Sequence, residues 1–123
     1  MEAKVTAKGK EKLLKARAGA ITLPKIVGFA FGEGGATGGT VNPVGETLKN
    51  EFLRKVIDEY VLKVSENKCE YYCTLNGSEG NGKNISEIGL YDSDGDIIMI
   101  ANFLPKGKDA SVSMRFEIDD VLQ

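Results

Sequence analysis

The sequence predicts an α+β fold, an N-terminal helix and a short second helix packed on a largely antiparallel β-sheet or sandwich. Three observations carry this reading. From Ser111 to Asp119, Val112, Met114, Phe116 and Ile118 alternate with hydroxyl and charged side chains, the period of a half-exposed strand. Two apolar runs, "ISEIGLY" and "IIMIANF", flank "DSDGD", whose Asp-Gly pair is the chemistry of a tight hairpin. Ahead of them lie helical and strand patterns separated by glycine-rich connections. At 123 residues the chain has room for one modest core, so residues 1–123 read as a single domain.

The elements follow in order. "KVTAKGKEKLLKARAG" reads as a helix with Thr6 as N-cap and Gly19 as its stop. A helical wheel places Lys8, Lys12 and Lys15 on a solvated side, with Ala7, Leu14 and Ala18 on another. Next, "AITLPKIVGFAFG" supplies a strand over about 25–31, with Pro24 at its entry. Residues 32–45, "GEGGATGGTVNPVG", are glycine-rich and read as a flexible surface loop. "ETLKNEFLRK" spaces Leu48 and Phe52 at a helical repeat and predicts the second helix.

"RKVIDEYVLKVSEN" fits both periods. The crowd of β-branched residues favours a strand with Val56, Tyr60, Leu62 and Val64 on one face, and "SEN" closing a hairpin. "KCEYYCTLN" then alternates, with Cys69, Tyr71, Cys73 and Leu75 facing one way. After the loop "GSEGNGK" come strands over about 84–91 and 96–103, the second apolar on both faces and so inside the sheet.

Composition narrows the function classes. A hydrophobic fraction of 41% with 28% charged residues is ordinary for a soluble globular protein. No apolar run nears the ~20 residues of a bilayer span, and the N-terminus lacks a signal-peptide core, so the expectation is cytoplasmic synthesis without a membrane partner. The net charge of −2 conceals a basic first segment, 1–25, and an acidic last one, 66–123. The basic segment has no aromatics to stack bases, so no nucleic-acid partner is expected. Cys69 and Cys73 on one strand stand roughly 13 Å apart, beyond the ~7 Å reach of a disulfide, and buried free thiols are expected.

Chemical motifs fall away in turn. Counted from Asp92, a calcium loop has its acids at 92, 94 and 96, but Ile97 and Phe103 stand where glycine and glutamate are required. The aspartates are therefore read as a type I′ turn, with no metal site. "FGEGGATGG" runs into Thr40 and Val41 without the Gly-Lys-Ser/Thr ending of a phosphate loop, and Pro43 precedes any helix that a dinucleotide site needs. There is no histidine, the commonest general base, and Cys73 has no activating neighbour. No catalytic residue and no cofactor are assigned. Glu87 stands out in the "SEIGLY" strand, opposite in face to Ile88 and Leu90, and is read as solvent-facing.

Three motifs in order carry a resemblance: "T-x-x-G-x-x-x-L" (Thr6, Gly9, Leu13) leading to "FAFGEGG", then "ETLKNEFLRK", then "SEIGLYDSDGDIIMIANF". Together they resemble the phage tail-collar fibre family, the baseplate-proximal N-terminal domain of tail fibres, which recurrently shows "G-D/E-G", "L-x-N-E-x-x-R" and "E-I/V-G-L-x-D-x-D-G". The resemblance implies a structural or adaptor protein of a (pro)phage tail, contacting tail or baseplate proteins and ending in the virion tail. Repeated copies imply a homo-oligomer, a trimer among the options. Typical members continue into a receptor-binding fibre, whereas this sequence stops at Gln123, so receptor recognition is not carried over. Glu33 and Thr37 in the glycine-rich loop, with Glu87 and Tyr91 in the last motif, are the candidate partner contacts. The alternative is a small ligand-binding module using the loops at 32–45 and 76–84, and the lack of tryptophan argues against sugars.

Overall fold

The computed structural model describes residues 1 and 3–122. Its elements in chain order are β1 (Lys4–Val5), α1 (Ala7–Arg17), β2 (Ile26–Gly32), β3 (Ala36–Thr37), β4 (Thr40–Val41), β5 (Glu51–Val56), β6 (Glu59–Lys63), a 3-10 turn (Val64–Glu66), β7 (Lys68–Leu75), β8 (Asn84–Asp92), β9 (Ile97–Gly107) and β10 (Met114–Val121). Five strands form one sheet in the order β1-β9-β8-β2-β5, three form a second in the order β10-β7-β6, and β3 and β4 make a small ribbon. All the pairings are antiparallel.

Alternation explains how the sheets meet. Phe29 and Phe31 of β2 point toward the three-stranded sheet, where they join Ile88 and Leu90 of β8, Met99 of β9, Cys73 and Leu75 of β7, and Phe116 and Ile118 of β10. Phe31 and Phe116 meet edge to face across the two sheets, ring centroids 5.2 Å apart. Each fully buried phenylalanine contributes about 2–3 kcal/mol through transfer from water alone. On the other face of the five-stranded sheet, Ala30, Ile97 and Ile100 pack beneath Leu48. β9 is therefore apolar on both faces because it is covered on both, as its sequence predicts.

Helix α1 begins and ends where expected. Thr6 Oγ1 accepts from Gly9 N at 3.1 Å, and Gly19 takes the left-handed φ of +79° just past the helix. The wheel prediction needs correcting. The side that meets the sheet carries Gly9, Lys12, Leu13 and Ala16, while Leu14 is 65% exposed. Gly9 sets this orientation: a Cβ there would lie 2.7 Å from the Ile98 carbonyl oxygen, so only glycine lets the helix sit this close to β9. Gly9→Ala is expected to lower unfolding free energy by about 1–2 kcal/mol, overpacking outweighing the ~1 kcal/mol gained in helix propensity. An unchanged urea midpoint would refute the close-packing account.

The second helix is not present. "ETLKNEFLRK" becomes a bend followed by β5, which pairs with β2 from Gly28↔Val56 to Gly32↔Glu51. Its helical residues lose to long-range pairing: β2 otherwise presents an unpaired edge, and Phe52 and Leu53 reach the core only from a strand. The following segment is extended, as predicted, but breaks at Ile57–Asp58, sending β5 and β6 into different sheets.

The turns exchange types. At Asp92–Asp96 the loop is three residues long, closed by Gly95 N donating to Asp92 O at 2.9 Å, with Gly95 alone left-handed at φ +87°. That is a turn followed by a glycine bulge rather than type I′. The two-residue loop with both φ positive lies instead at Gly38-Gly39, φ +57° and +81°, joining β3 to β4 inside the segment expected to be a plain loop.

Candidate functional site

β8 carries two polar centres on an otherwise apolar strand. The first is built by Ser86 and Glu87, both fully buried. The expectation of a solvent-facing Glu87 is overturned: it is 1% exposed. Its Oε2 accepts from Gly34 N and Asn50 N, each at 2.8 Å, and its Oε1 from Lys49 N at 2.8 Å. Ser86 Oγ accepts from Gly35 N at 2.8 Å. Two adjacent side chains thus satisfy four loop amides that have no strand partner. Gly32 and Gly35 are required here, since a Cβ on either would run into Glu87 or into the Ser86 backbone.

This junction fixes the glycine-rich loop. Glu33 N donates to Asn50 O at 3.0 Å, and the Glu33 carboxylate accepts from Asn84 N at 2.9 Å with Lys83 Nζ 3.7 Å away. Asn42 Nδ2 donates to Gly34 O and to Thr37 Oγ1, both at 3.1 Å, closing the base of the β3–β4 ribbon. Asn102 Nδ2 ties that ribbon to β9 through Asn42 O at 3.0 Å. Thr37 itself is exposed.

The second centre lies at the other end of β8. Lys12, expected on a solvated face, is buried, and its Nζ stands 2.6 Å from Asp92, 3.0 Å from Asp94 and 2.8 Å from Asp96. Burial pulls the Lys12 pKa down, but the hydrogen bonds to Asp92, Asp96 and Asp94 outweigh it and hold it above the usual lysine range. Asp92, 1% exposed, also accepts from Asp94 N at 3.0 Å and Asp96 N at 3.1 Å. The three carboxylates cluster closely enough for a metal, yet the place a cation would take is filled by the protein's own ammonium. The aspartates therefore do two jobs, turning the hairpin and clamping the helix to it.

Between the centres, Tyr91 is half-buried against Gly28, its ring beneath the Arg54 guanidinium at 4.9 Å. Arg54 Nη1 donates to Gly95 O at 2.7 Å, so it braces the same hairpin. Of the four residues named from sequence, Glu33 and Glu87 meet at one junction, and Thr37 sits on the ribbon beyond it. Tyr91 lies four residues along β8 from Glu87, roughly 13 Å away at 3.3 Å per residue. Sequence reasoning missed Lys12 and Ser86. A signal for Ser86 existed: a polar pair inside an apolar strand needs donors, and a glycine-rich loop offers free amides.

Cys69 and Cys73 are buried and unpaired with each other, as expected, and burial pushes the Cys73 thiol up to about 12, away from a reactive thiolate. Three surface hollows of about 400, 330 and 390 Å³ run along β6, β7 and β10, and none of the three is lined by the glycine-rich loops. Among the described residues, no helix is long and apolar enough to cross a membrane.

The motifs converge physically. Gly9 and Thr6 seat α1 on β9, Leu48 covers Gly89, Asn50 binds Glu87, and Arg54 reaches Gly95. Comparison with known proteins gives one finding and two blanks. The profile of the family described as "Phage tail-collar fibre protein, N-terminal" matches residues 1–116. No curated protein and no solved structure gives a significant match. With nearly its whole length matched, the chain belongs to the phage tail-collar fibre family, the N-terminal structural part of a phage tail fibre.

Proposed function

We propose that the chain, acting through residues 1–123 as one attachment domain, joins a (pro)phage tail to its baseplate or fibre through protein–protein contacts and without a catalytic step. The single observation that carries this reading is the match to the tail-fibre family over residues 1–116. The geometry supports it in one respect. Glu87 and Ser86 hold the glycine-rich segment in one conformation, so the exposed ribbon around Thr37 is set before any partner arrives, which lowers the ordering cost of binding. Glu33 lies at the base of that loop, Glu87 acts from beneath by fixing it, and Tyr91, further along β8 beneath Arg54, is a separate contact in this reading. The chain is made in the cytoplasm and is carried into the virion tail.

Expressed together with the tail and baseplate proteins encoded beside it, the tagged chain is expected to co-purify with one of them at a fixed ratio. Thr37→Arg, on an exposed side chain, gives up the exposed hydrogen bond from Asn42 and is expected to weaken that capture far more than it lowers the thermal midpoint. A gene neighbourhood of metabolic enzymes, or a chain that elutes alone beside its tail proteins, would defeat the proposal.

A further inference from the structure

Three dipeptides of this chain carry the chemistry of spontaneous backbone rearrangement: Asn76-Gly77, Asn81-Gly82 and Asp94-Gly95. In each, the glycine nitrogen can attack the preceding side-chain carbonyl carbon, because glycine has no Cβ to crowd the approach. The fold treats the three differently. Gly95 N donates to Asp92 O at 2.9 Å, and the Asp94 carboxylate is held by Lys12 Nζ at 3.0 Å. Gly82 N donates to Lys108 O at 2.9 Å. The Asn81 amide is tied at both ends, Nδ2 donating to Gly77 O at 2.8 Å and Oδ1 accepting from the buried Lys108 Nζ at 2.9 Å. At the remaining site the nucleophile is unengaged: among the described residues, Gly77 N donates to no acceptor. Asn76 is exposed, and its Oδ1 accepts from Ser78 N at 2.9 Å and from Ser78 Oγ at 2.8 Å. That oxygen takes up negative charge when its carbon is attacked, so both donors sit where the charge develops.

We propose that Asn76 is a site of spontaneous deamidation, assisted by Ser78 Oγ, and that the fold protects Asn81 from the same reaction. Solvent base takes the Gly77 amide proton, Gly77 N bonds to Asn76 Cγ, and the Cγ–Nδ2 bond breaks as ammonia leaves with a proton from water. Water then opens the five-membered imide at either carbonyl, giving aspartate or isoaspartate at position 76. Lys108 also faces Asn81 Oδ1 with a positive charge, so charge stabilisation does not protect Asn81. The occupied Gly82 N and the pinned Asn81 amide do. The product alters the loop between β7 and β8. Glu79, which accepts from Asn76 N at 2.9 Å and Lys55 Nζ at 2.7 Å, gains a second carboxylate as neighbour. In the isoaspartyl form the main chain runs through Cγ, one carbon longer, and the Asn76 carbonyl that Glu79 N reaches at 3.1 Å becomes a free carboxylate. Residues 76–82 include none of those assigned to tail attachment, so each reading stands or falls alone.

The full chain is kept in warm, mildly alkaline buffer, sampled over weeks and digested with trypsin for mass spectrometry. A single tryptic peptide, residues 69–83, carries both asparagines, so fragmentation compares them within one molecule. Position 76 should gain about 1 Da, amide to acid, roughly tenfold or more faster than position 81, with isoaspartate alongside aspartate in the product. In guanidinium chloride the two positions should react at similar rates, since both present asparagine before glycine and the protecting bonds are gone. Ser78→Ala, on an exposed side chain, should slow position 76 in the folded chain roughly threefold to tenfold and leave position 81 unchanged. Circular dichroism on that variant confirms that the sheets form. Equal rates in the folded chain, a faster reaction at position 81, a preference for position 76 that persists in guanidinium chloride, or a Ser78→Ala chain that reacts as fast as the wild type would each overturn the proposal.

Discussion

Glu87→Ala is expected to remove about 3–5 kcal/mol of stability, a large part of the ~5–15 kcal/mol typical of a whole domain. The carboxylate accepts from three backbone amides, and truncation leaves all three without their partner at a part-buried junction. Each stranded buried donor costs about 1–3 kcal/mol, less whatever an entering water recovers. Glu87→Gln separates charge from geometry. Its single carbonyl oxygen can keep the two bonds now made to Oε2, while its amide group turns a donor toward Lys49 N. The loss should then be about 1–3 kcal/mol. Urea denaturation followed by circular dichroism gives both numbers. If Glu87→Ala unfolds at the wild-type midpoint, the junction does not hold the fold.

Lys12→Met tests the second centre and should cost about 3–5 kcal/mol at neutral pH. Methionine fills the stem's space but leaves three carboxylates without their cation, one of them fully buried. The pH dependence reverses between the two proteins. In the wild type, the hydrogen bond from Lys12 outweighs desolvation and holds Asp96 below the usual carboxylate range. Its contribution is present above the unfolded-state pKa and is lost as pH falls through the lower folded value. Lysine, whose folded pKa is raised, contributes below its ordinary value and loses that contribution at strongly alkaline pH. In Lys12→Met the three carboxylates repel one another, so protonation relieves the strain, and the deficit should shrink from pH 7 toward pH 4. A deficit that is constant or grows on acidification would show that packing, not charge, makes Lys12 valuable.

What the sequence revealed and concealed divides by range. The strand at Met114–Val121 and the hairpin of β8 and β9 were legible because alternation and turn chemistry are local. The start of α1 was legible for the same reason, since Thr6 and Gly9 are three residues apart. "ETLKNEFLRK" misled because its local preference is helical, while its structure is decided by pairing with β2, from Gly32↔Glu51 to Gly28↔Val56. Lys12 and Asp92 are 80 residues apart, so a wheel drawn on the helix alone could not see the carboxylates beneath it. Glu87 was noticed but given the wrong surroundings, because alternation says which face a residue takes and not what covers that face. The covering segments, 33–35 and 48–50, carry no local signal of what they cover. The family motifs named most of these residues without saying that they touch.

The Gly38-Gly39 tip of the ribbon has one more consequence. A Cβ at either position would meet nothing within 4 Å, so packing does not select these glycines; the left-handed backbone does. The outermost point of the loop therefore offers a neighbour only amide and carbonyl groups. Recognition through main-chain groups is indifferent to side-chain identity on this side and asks only for donors and acceptors on the other. A contact of that kind tolerates sequence drift in both proteins as long as the two backbones keep their shape.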